Sequence, residues 1–145
     1  VLPGFLAGLR PRPEVTARGE ELMERMGIDE LATSAVTEVS GGQLQRAGIC
    51  RALINDPGIV FADEPTGALN SATALQILDL LGEIHASGTT LVMVTHDTQV
   101  AARADRVLVL VDGQITEDLL LGKYEEAEGP SRLATVTEAL QRHSV

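Results

Sequence analysis

The 145-residue sequence has a single lysine, Lys123, and its formal net charge is −10. Nucleic-acid recognition normally begins with a basic surface, so this balance disfavours DNA or RNA as a partner. One cysteine, Cys50, cannot form an internal disulfide, and with three scattered histidines it offers no metal-ligand spacing. The chain reads as cytosolic, with Cys50 packed inside as a small helix residue. No apolar run approaches the roughly 18 residues that suggest a membrane span, so membrane association would come through a partner. The stretch VLPGFLAGL is too short, and too broken by Pro3 and Gly4, to act as a signal sequence. A start at Val1 rather than Met points to N-terminal truncation. There is no G-x-S-x-G elbow and no local Cys/His nucleophile pattern. A G-x-x-x-x-G-K-[ST] phosphate loop is also missing: the lysine sits in LLLGKYEE, without the upstream glycine or the following Ser/Thr.

What is present begins with 44% hydrophobic content, enough at this length for one domain with a sizeable core. From Glu14 to Leu31, Val15, Leu22, Met23 and Met26 fall near helical spacing with charges between them, and Gly27 is a stop signal. A second helix should start at Ser40, because SGGQ is a Ser-x-x-Gln capping box, and continue through Leu44, Ala47, Ile49 and Leu53 to end near NDPG. GIVFA is short and β-branched and reads as a buried core strand. Residues 71–84 read as a helix, TTLVMVT as a second buried strand, and DTQVAARA as a helical turn. Strands alternating with helices imply β-α-β crossovers and a parallel sheet. RVLVLVDGQIT reads as a strand, an Asp112-Gly113 turn and a short antiparallel return. After an acidic run at Glu125, Glu126 and Glu128, SRLATVTEALQR offers a weak helix with Leu133, Val136 and Leu140 on one face. The sequence has no internal repeat and no low-complexity linker.

Both core strands end in polar residues, and ligands of open α/β sheets sit at the carboxyl ends of the strands. Asp63-Glu64 ends the first and Thr95-His96-Asp97 the second. A carboxylate pair there divides labour naturally: the first holds a metal while the second reaches an attacking water. His96 is placed to hydrogen-bond a terminal phosphate. Taken alone, Asp-Glu is as readily ordinary strand-end exposure, and a lone histidine is more often structural. VSGGQ is different in kind, because two glycines after a helix cap let backbone N–H groups approach an anion at the positive end of the helix dipole. A plain glycine-rich helix start is the competing explanation.

Together these segments resemble the ATP-binding-cassette ATPases over nearly the whole chain to about Ile115. VSGGQLQRAGICRALINDP is similar to the family signature and its helix, IVFADEP to the Walker B strand, TGALN to the D-loop, and VMVTHD to the switch-histidine segment. Spacing fits as well, with 23 positions from Ser40 to Asp63 and 32 from Glu64 to His96. The stretches FADEPTGAL and VTHDTQVAARADRVLVLVDGQI are similar to the transporter branch, particularly macrolide-export and lipoprotein-release subunits. The resemblance implies a partial RecA-like P-loop NTPase core, a parallel sheet with flanking helices, plus a helical subdomain. Walker A and the glutamine-bearing loop lie upstream of that subdomain in the family. The implied cofactors are ATP and Mg²⁺. Asp63 would support Mg²⁺, Glu64 would be the general base, and His96 would contact the terminal phosphate. Ser40, Gly41, Gly42 and Gln43 would act on ATP held by the opposing subunit of a head-to-tail dimer. Asn70 stands where the D-loop usually has aspartate; Leu44 replaces a usual polar residue, and Gly48 and Cys50 stand where alanine is common.

The expected organisation is a helical subdomain over 1–53, the later part of the ATPase core over 54–122, and a tail with a short helix over 123–145. The expected function is the ATPase subunit of an export system for a lipophilic compound or lipoprotein. It would be cytoplasmic and peripheral on the inner membrane face, held through transmembrane permease partners. The truncated chain alone is expected to be inactive. Two alternatives stand beside this: a non-catalytic module lending its SGGQ face to another ATPase, and a chromosome-associated ATPase of the same family.

Overall fold

The computed structural model describes residues 12–33, 39–67 and 69–143. The VLPGFLAGL segment and Ala68 of TGALN therefore lie outside the described residues. The chain divides into two compact units, Val1–Val94 and Thr95–Val145.

In the first unit, α1 runs over Arg12–Arg25. Pro13 falls in its first turn, where a missing N–H costs nothing. The helix stops at Gly27, whose φ of 61° is the left-handed geometry that glycine tolerates best. Gly27 N–H donates to Glu24 O at 2.9 Å and Ile28 N–H to Met23 O at 2.9 Å, the paired bonds of a Schellman cap. A 3₁₀ turn, Asp29–Thr33, follows. The helix α2, Gly41–Leu53, starts with the capping box expected from SGGQ: Ser40 Oγ accepts from Gln43 N–H at 3.3 Å, and Gln43 Oε1 accepts from Ser40 N–H at 2.9 Å.

Two strands, β1 (Ile59–Asp63) and β2 (Thr90–Val94), pair in parallel with Ile59 opposite Thr90 and Asp63 opposite Val94. They are joined through α3, Ser71–Ala86. One core binds these elements: Val15, Leu22, Met26 and Ile28 pack with Cys50, Leu53 and Ile54 and with Ile77, Leu81 and Ile84 of α3. From the sheet, Val60, Leu91 and Met93 pack against that cluster. Cys50 lies inside, and burial pushes its thiol up to about 11, so it stays protonated and unreactive.

The strands are not buried on both faces, which corrects the expectation for GIVFA and TTLVMVT. Side chains alternate across a strand, and the face opposite the helices stays open: Phe61 is 77% exposed and Val94 63%. Apolar residues on both faces gave these segments the look of doubly covered strands.

The second unit holds α4 (Thr98–Ala101), a hairpin of β3 (Arg106–Val111) and β4 (Gln114–Leu120), and α5 (Gly129–His143). The hairpin turns at Asp112 and Gly113, with φ values of 50° and 75°, the two left-handed residues of a type I′ turn. The return strand is not short. It runs through Leu120, with a register shift beside Val109 and Leu110 and with the Arg106–Asp118 pair across it, whose two hydrogen bonds measure 2.8 and 2.7 Å. The tail helix is full length, and its buried face is Arg132, Val136 and Ala139 rather than Leu133, Val136 and Leu140. The rotation follows from Arg132, an arginine that turns inward.

Candidate functional site

The carboxylate pair is placed by β1 and by the turn that ends it. Asp63 is the last strand residue and is exposed. Glu64 follows with φ 45°, in the left-handed region that costs a non-glycine residue about 1–2 kcal/mol. Its N–H extends the ladder by donating to Val94 O at 2.9 Å, and its carbonyl accepts from Gly67 N–H at 3.1 Å. Pro65 and Thr66 are buried beneath it. Gly67 lies against the Glu64 side chain, where an added Cβ would stand 3.4 Å from Glu64 Cβ, in ordinary contact. Strain of this kind persists where the surroundings over-determine the backbone, and it concentrates at functional sites.

The SGGQ segment opens a separate recess. A cavity of about 600 Å³ is lined by Gly27, Ser40, Gly42, Gln43, Arg46, Leu69, Asn70 and Thr73. Two helices begin at its wall, α2 at Gly41 and α3 at Ser71. The first N–H groups of a helix lack intrahelical acceptors, and both dipoles present their positive ends here. Arg46 adds a guanidinium whose Nη1 donates to Met26 O at 3.0 Å and whose Nη2 donates to Gln76 Oε1 at 3.2 Å. The recess suits an anion. Asn70 Oδ1 accepts from Thr73 N–H at 3.0 Å as the N-cap of α3, so its side-chain oxygen is already engaged. The Ser40 and Gln43 side chains are likewise engaged, each accepting from the other's backbone N–H. Gly41, by contrast, would meet nothing within 4 Å of an added Cβ and presents open backbone.

His96 belongs to the second unit and is exposed. It is followed by a tight turn in which Asp97 N–H donates to Thr95 Oγ1 at 3.1 Å, and Asp97 Oδ1 caps α4 by accepting from Gln99 N–H at 2.8 Å. The structure thus gathers Ser40, Gly42, Gln43 and Asn70 on one recess and sets Asp63 and Glu64 at the strand end in the same unit. Gln45 is a residue the sequence did not single out: from α2 its Nε2 donates to Pro65 O at 2.9 Å. Arg46 is another, and its position one helical turn after Gly42 was the available signal.

Among the described residues no group of three or more His, Cys, Asp or Glu side chains converges as a metal cage. Asp63 and Glu64 supply hard carboxylate oxygens, which suits Mg²⁺, an ion held by one or two carboxylates with phosphates and water completing its shell. No helix among the described residues is long and apolar enough to cross a membrane.

Comparison with known proteins places these features in a family. The ABC transporter family model matches residues 7–67. The macrolide export ATP-binding/permease protein MacB of Rhodospirillum rubrum is 45% identical over 117 residues, covering 81% of this chain and 18% of that protein. The solved dimer of MJ0796, a bacterial ABC transporter cassette, is 36% identical with a TM-score of 0.75, covering 85% of this chain and 55% of that one. The same cassette in a post-hydrolysis state bound to ADP and Pi aligns with a TM-score of 0.71 over 79% of this chain and 50% of that one. The chain thus spans about a fifth of the curated export protein and about half of the solved cassette. It belongs to the ABC-transporter ATPases and is similar to the export subfamily, with a mixed α/β fold that matches a fraction of its longer relatives.

Proposed function

We propose that these residues are the helical subdomain and later ATPase core of a subunit that binds and hydrolyses ATP to drive export through transmembrane permease partners. The division falls near residue 53, with 54–122 as core and 123–145 as tail. The observation that carries this reading is the strained Asp63-Glu64 strand end in one compact unit with a capped Gly-Gly helix start. Asp63 holds Mg²⁺, which neutralises charge on the terminal phosphates. Glu64 accepts the proton of the attacking water, and His96 hydrogen-bonds the terminal phosphate. Ser40, Gly41, Gly42 and Gln43 face ATP held by a second ATPase subunit in a head-to-tail dimer, with Asn70 beside them. Through its permease the subunit sits on the inner face of the membrane. Subfamily resemblance supports a lipophilic compound or lipoprotein as cargo.

A second reading is a non-catalytic module that lends its SGGQ face to another ATPase, supported by the open backbone at Gly41 beside the capped helix start. One experiment separates them. Alone, the chain should bind MgATP weakly without turnover, since phosphate-loop N–H groups and lysine supply most of the charge stabilisation. With a matching phosphate-loop segment fused ahead of Val1 it should hydrolyse ATP. Glu64→Gln should then abolish hydrolysis while retaining binding, and Asp63→Asn should weaken Mg²⁺-dependent binding. Gly41→Asp, placed in open space, should spare monomer binding and block dimer closure by size-exclusion chromatography. Hydrolysis by Glu64→Gln at the parental rate would remove Glu64 from the role of base.

A further inference from the structure

Glu64 is held in a conformation that its own neighbours in sequence oppose. Its φ of 45° is left-handed, and the residue before a proline is pushed by the ring toward extended backbone. Pro65 therefore works against the geometry that aims the Glu64 carboxylate. Two backbone bonds hold the residue, from Glu64 N–H to Val94 O at 2.9 Å and from Gly67 N–H to Glu64 O at 3.1 Å. Both lie within the turn and the ladder. Gln45 reaches the turn from α2: its Nε2 donates to Pro65 O, the carbonyl of the Pro65–Thr66 peptide, at 2.9 Å across a half-buried contact.

Gln45 lies on α2, two residues beyond Gln43 of the capping box. The helix that opens the anion recess is thus tied through one side-chain amide to the turn that carries the base. An amide suits this position because it donates to the Pro65 carbonyl from a wall that Ile49, Val60, Ala62 and Leu81 share with Asp63. A carboxylate of the same shape would set an acceptor against the Pro65 carbonyl.

We propose that Gln45 is a positioning residue for Glu64, fixing the Pro65 turn so that the left-handed Glu64 carboxylate stays aimed at the attacking water. The role rests on Glu64 being the general base. Its physical core, a side chain restraining a strained turn, is measurable without hydrolysis.

Two variants of the 145-residue chain separate the donor from the packing. Gln45→Met keeps length and loses the donor, and Gln45→Glu keeps shape and replaces the donor with an acceptor. The Pro65 carbonyl ¹³C shift and the exchange rate of Gly67 N–H are read against Ile77 N–H in α3, which reports global opening. Both variants should move the Pro65 carbonyl and speed Gly67 exchange about tenfold relative to Ile77, the equilibrium equivalent of one such hydrogen bond. Gln45→Lys, which restores an N–H donor, should recover both signals. If Gly67 exchange and the Pro65 shift stay at parental values in both donorless variants, Gln45 does not restrain the turn and the proposal falls. In the phosphate-loop fusion, Gln45→Met should lower kcat by about tenfold or more with KM for ATP within twofold, because a displaced base loses rate rather than binding. A rise in KM at unchanged kcat would overturn the positioning role. Should Glu64→Gln prove as active as its parent, the base assignment fails, and the Pro65 and Gly67 signals still decide whether Gln45 sets that turn.

Discussion

Replacing Arg132 should destabilise residues 95–145 more than replacing any other charged side chain in that unit. Its side chain is 5% exposed, and its guanidinium donates to five backbone carbonyls: Ala102, Ala104, Leu121, Gly122 and Lys123. Those carbonyls belong to the end of α4 and to the stretch after β4, groups that regular structure leaves without partners. Arg132 also lies 5.5 Å from the Tyr124 ring centroid, with Arg103 at 5.3 Å. The contact to Glu128 is 3.8 Å long with a partner 55% exposed and adds little. The bond to Ala102 O is buried, so losing its donor exposes the full desolvation cost of about 1–3 kcal/mol. The other four carbonyls are half-buried and rehydrate in part, and the aromatic contact contributes about 0.5–1 kcal/mol. Arg132→Met should therefore cost about 3–5 kcal/mol, the scale of breaking a buried charged network. Arg132→Lys should fall between, since an ammonium has three donors and no planar fork. Urea unfolding followed by Tyr124 fluorescence reports on this unit locally, because the chain has one tyrosine and no tryptophan. The midpoint should fall at unchanged m. A loss under about 1 kcal/mol for Arg132→Met would show that water serves these carbonyls equally well and would refute the anchoring argument.

Two further outcomes follow from side chains that secure helix ends. Arg142 and His143, at the end of α5, hold Glu117 by hydrogen bonds of 2.7 to 3.0 Å and pull its carboxyl from 4.5 down to about 2. A depressed carboxylate contributes stability that is complete above about pH 4.5 and fades as the pH falls toward 2. Urea titrations across that window should show a shallower acid loss in Glu117→Gln, and an unchanged slope would remove the Arg142 pairing as its source. At α3, Asn70→Ala should cost about 1 kcal/mol of stability through loss of its bond to Thr73 N–H, whereas Asn70→Asp should keep it. Chemical denaturation of both variants checks the pair, and equal loss in both would mean that the cap is not what stabilises the helix start.

The legible parts of this molecule were those with local causes. Ser40 and Gln43 stand three apart, and that spacing alone wrote the capping box into the sequence. Asp112-Gly113 likewise announced its turn, and Gly27 its helix stop. The order of strands and helices followed from apolar period and breakers. What escaped were features set by distant partners. Whether Phe61 and Val94 are covered depends on what lies across the sheet, and an apolar run reads the same on an open face as on a closed one. Arg132 was unreadable because a pattern of apolar positions counts arginine as outward, while five carbonyls from other elements draw it in. The strain at Glu64 was hidden for the same reason: nothing in Asp-Glu-Pro requires φ 45°, and local preference opposes it. The Gln45 contact spans 20 residues of sequence and follows no short-range spacing.

Several residues of the candidate site also hold up the fold, and this decides which variants inform on function. Ser40 and Gln43 close the start of α2, and Asn70 closes the start of α3. An alanine at any of them removes a cap, and a consequent fall in activity would not distinguish a lost phosphate contact from a frayed helix. Their engagement also bears on chemistry. For the side chains of Ser40 and Gln43 to turn toward a phosphate, the two bonds of the capping box must give way, and the phosphate oxygens must take over as acceptors for the Gln43 N–H group. An anion there would serve the Gln43 N–H that the box serves, while the Ser40 N–H would need a second acceptor. Gly41, where an added Cβ would meet nothing within 4 Å, is the position at which a substituent tests the proposed partner contact without touching the packing of the fold.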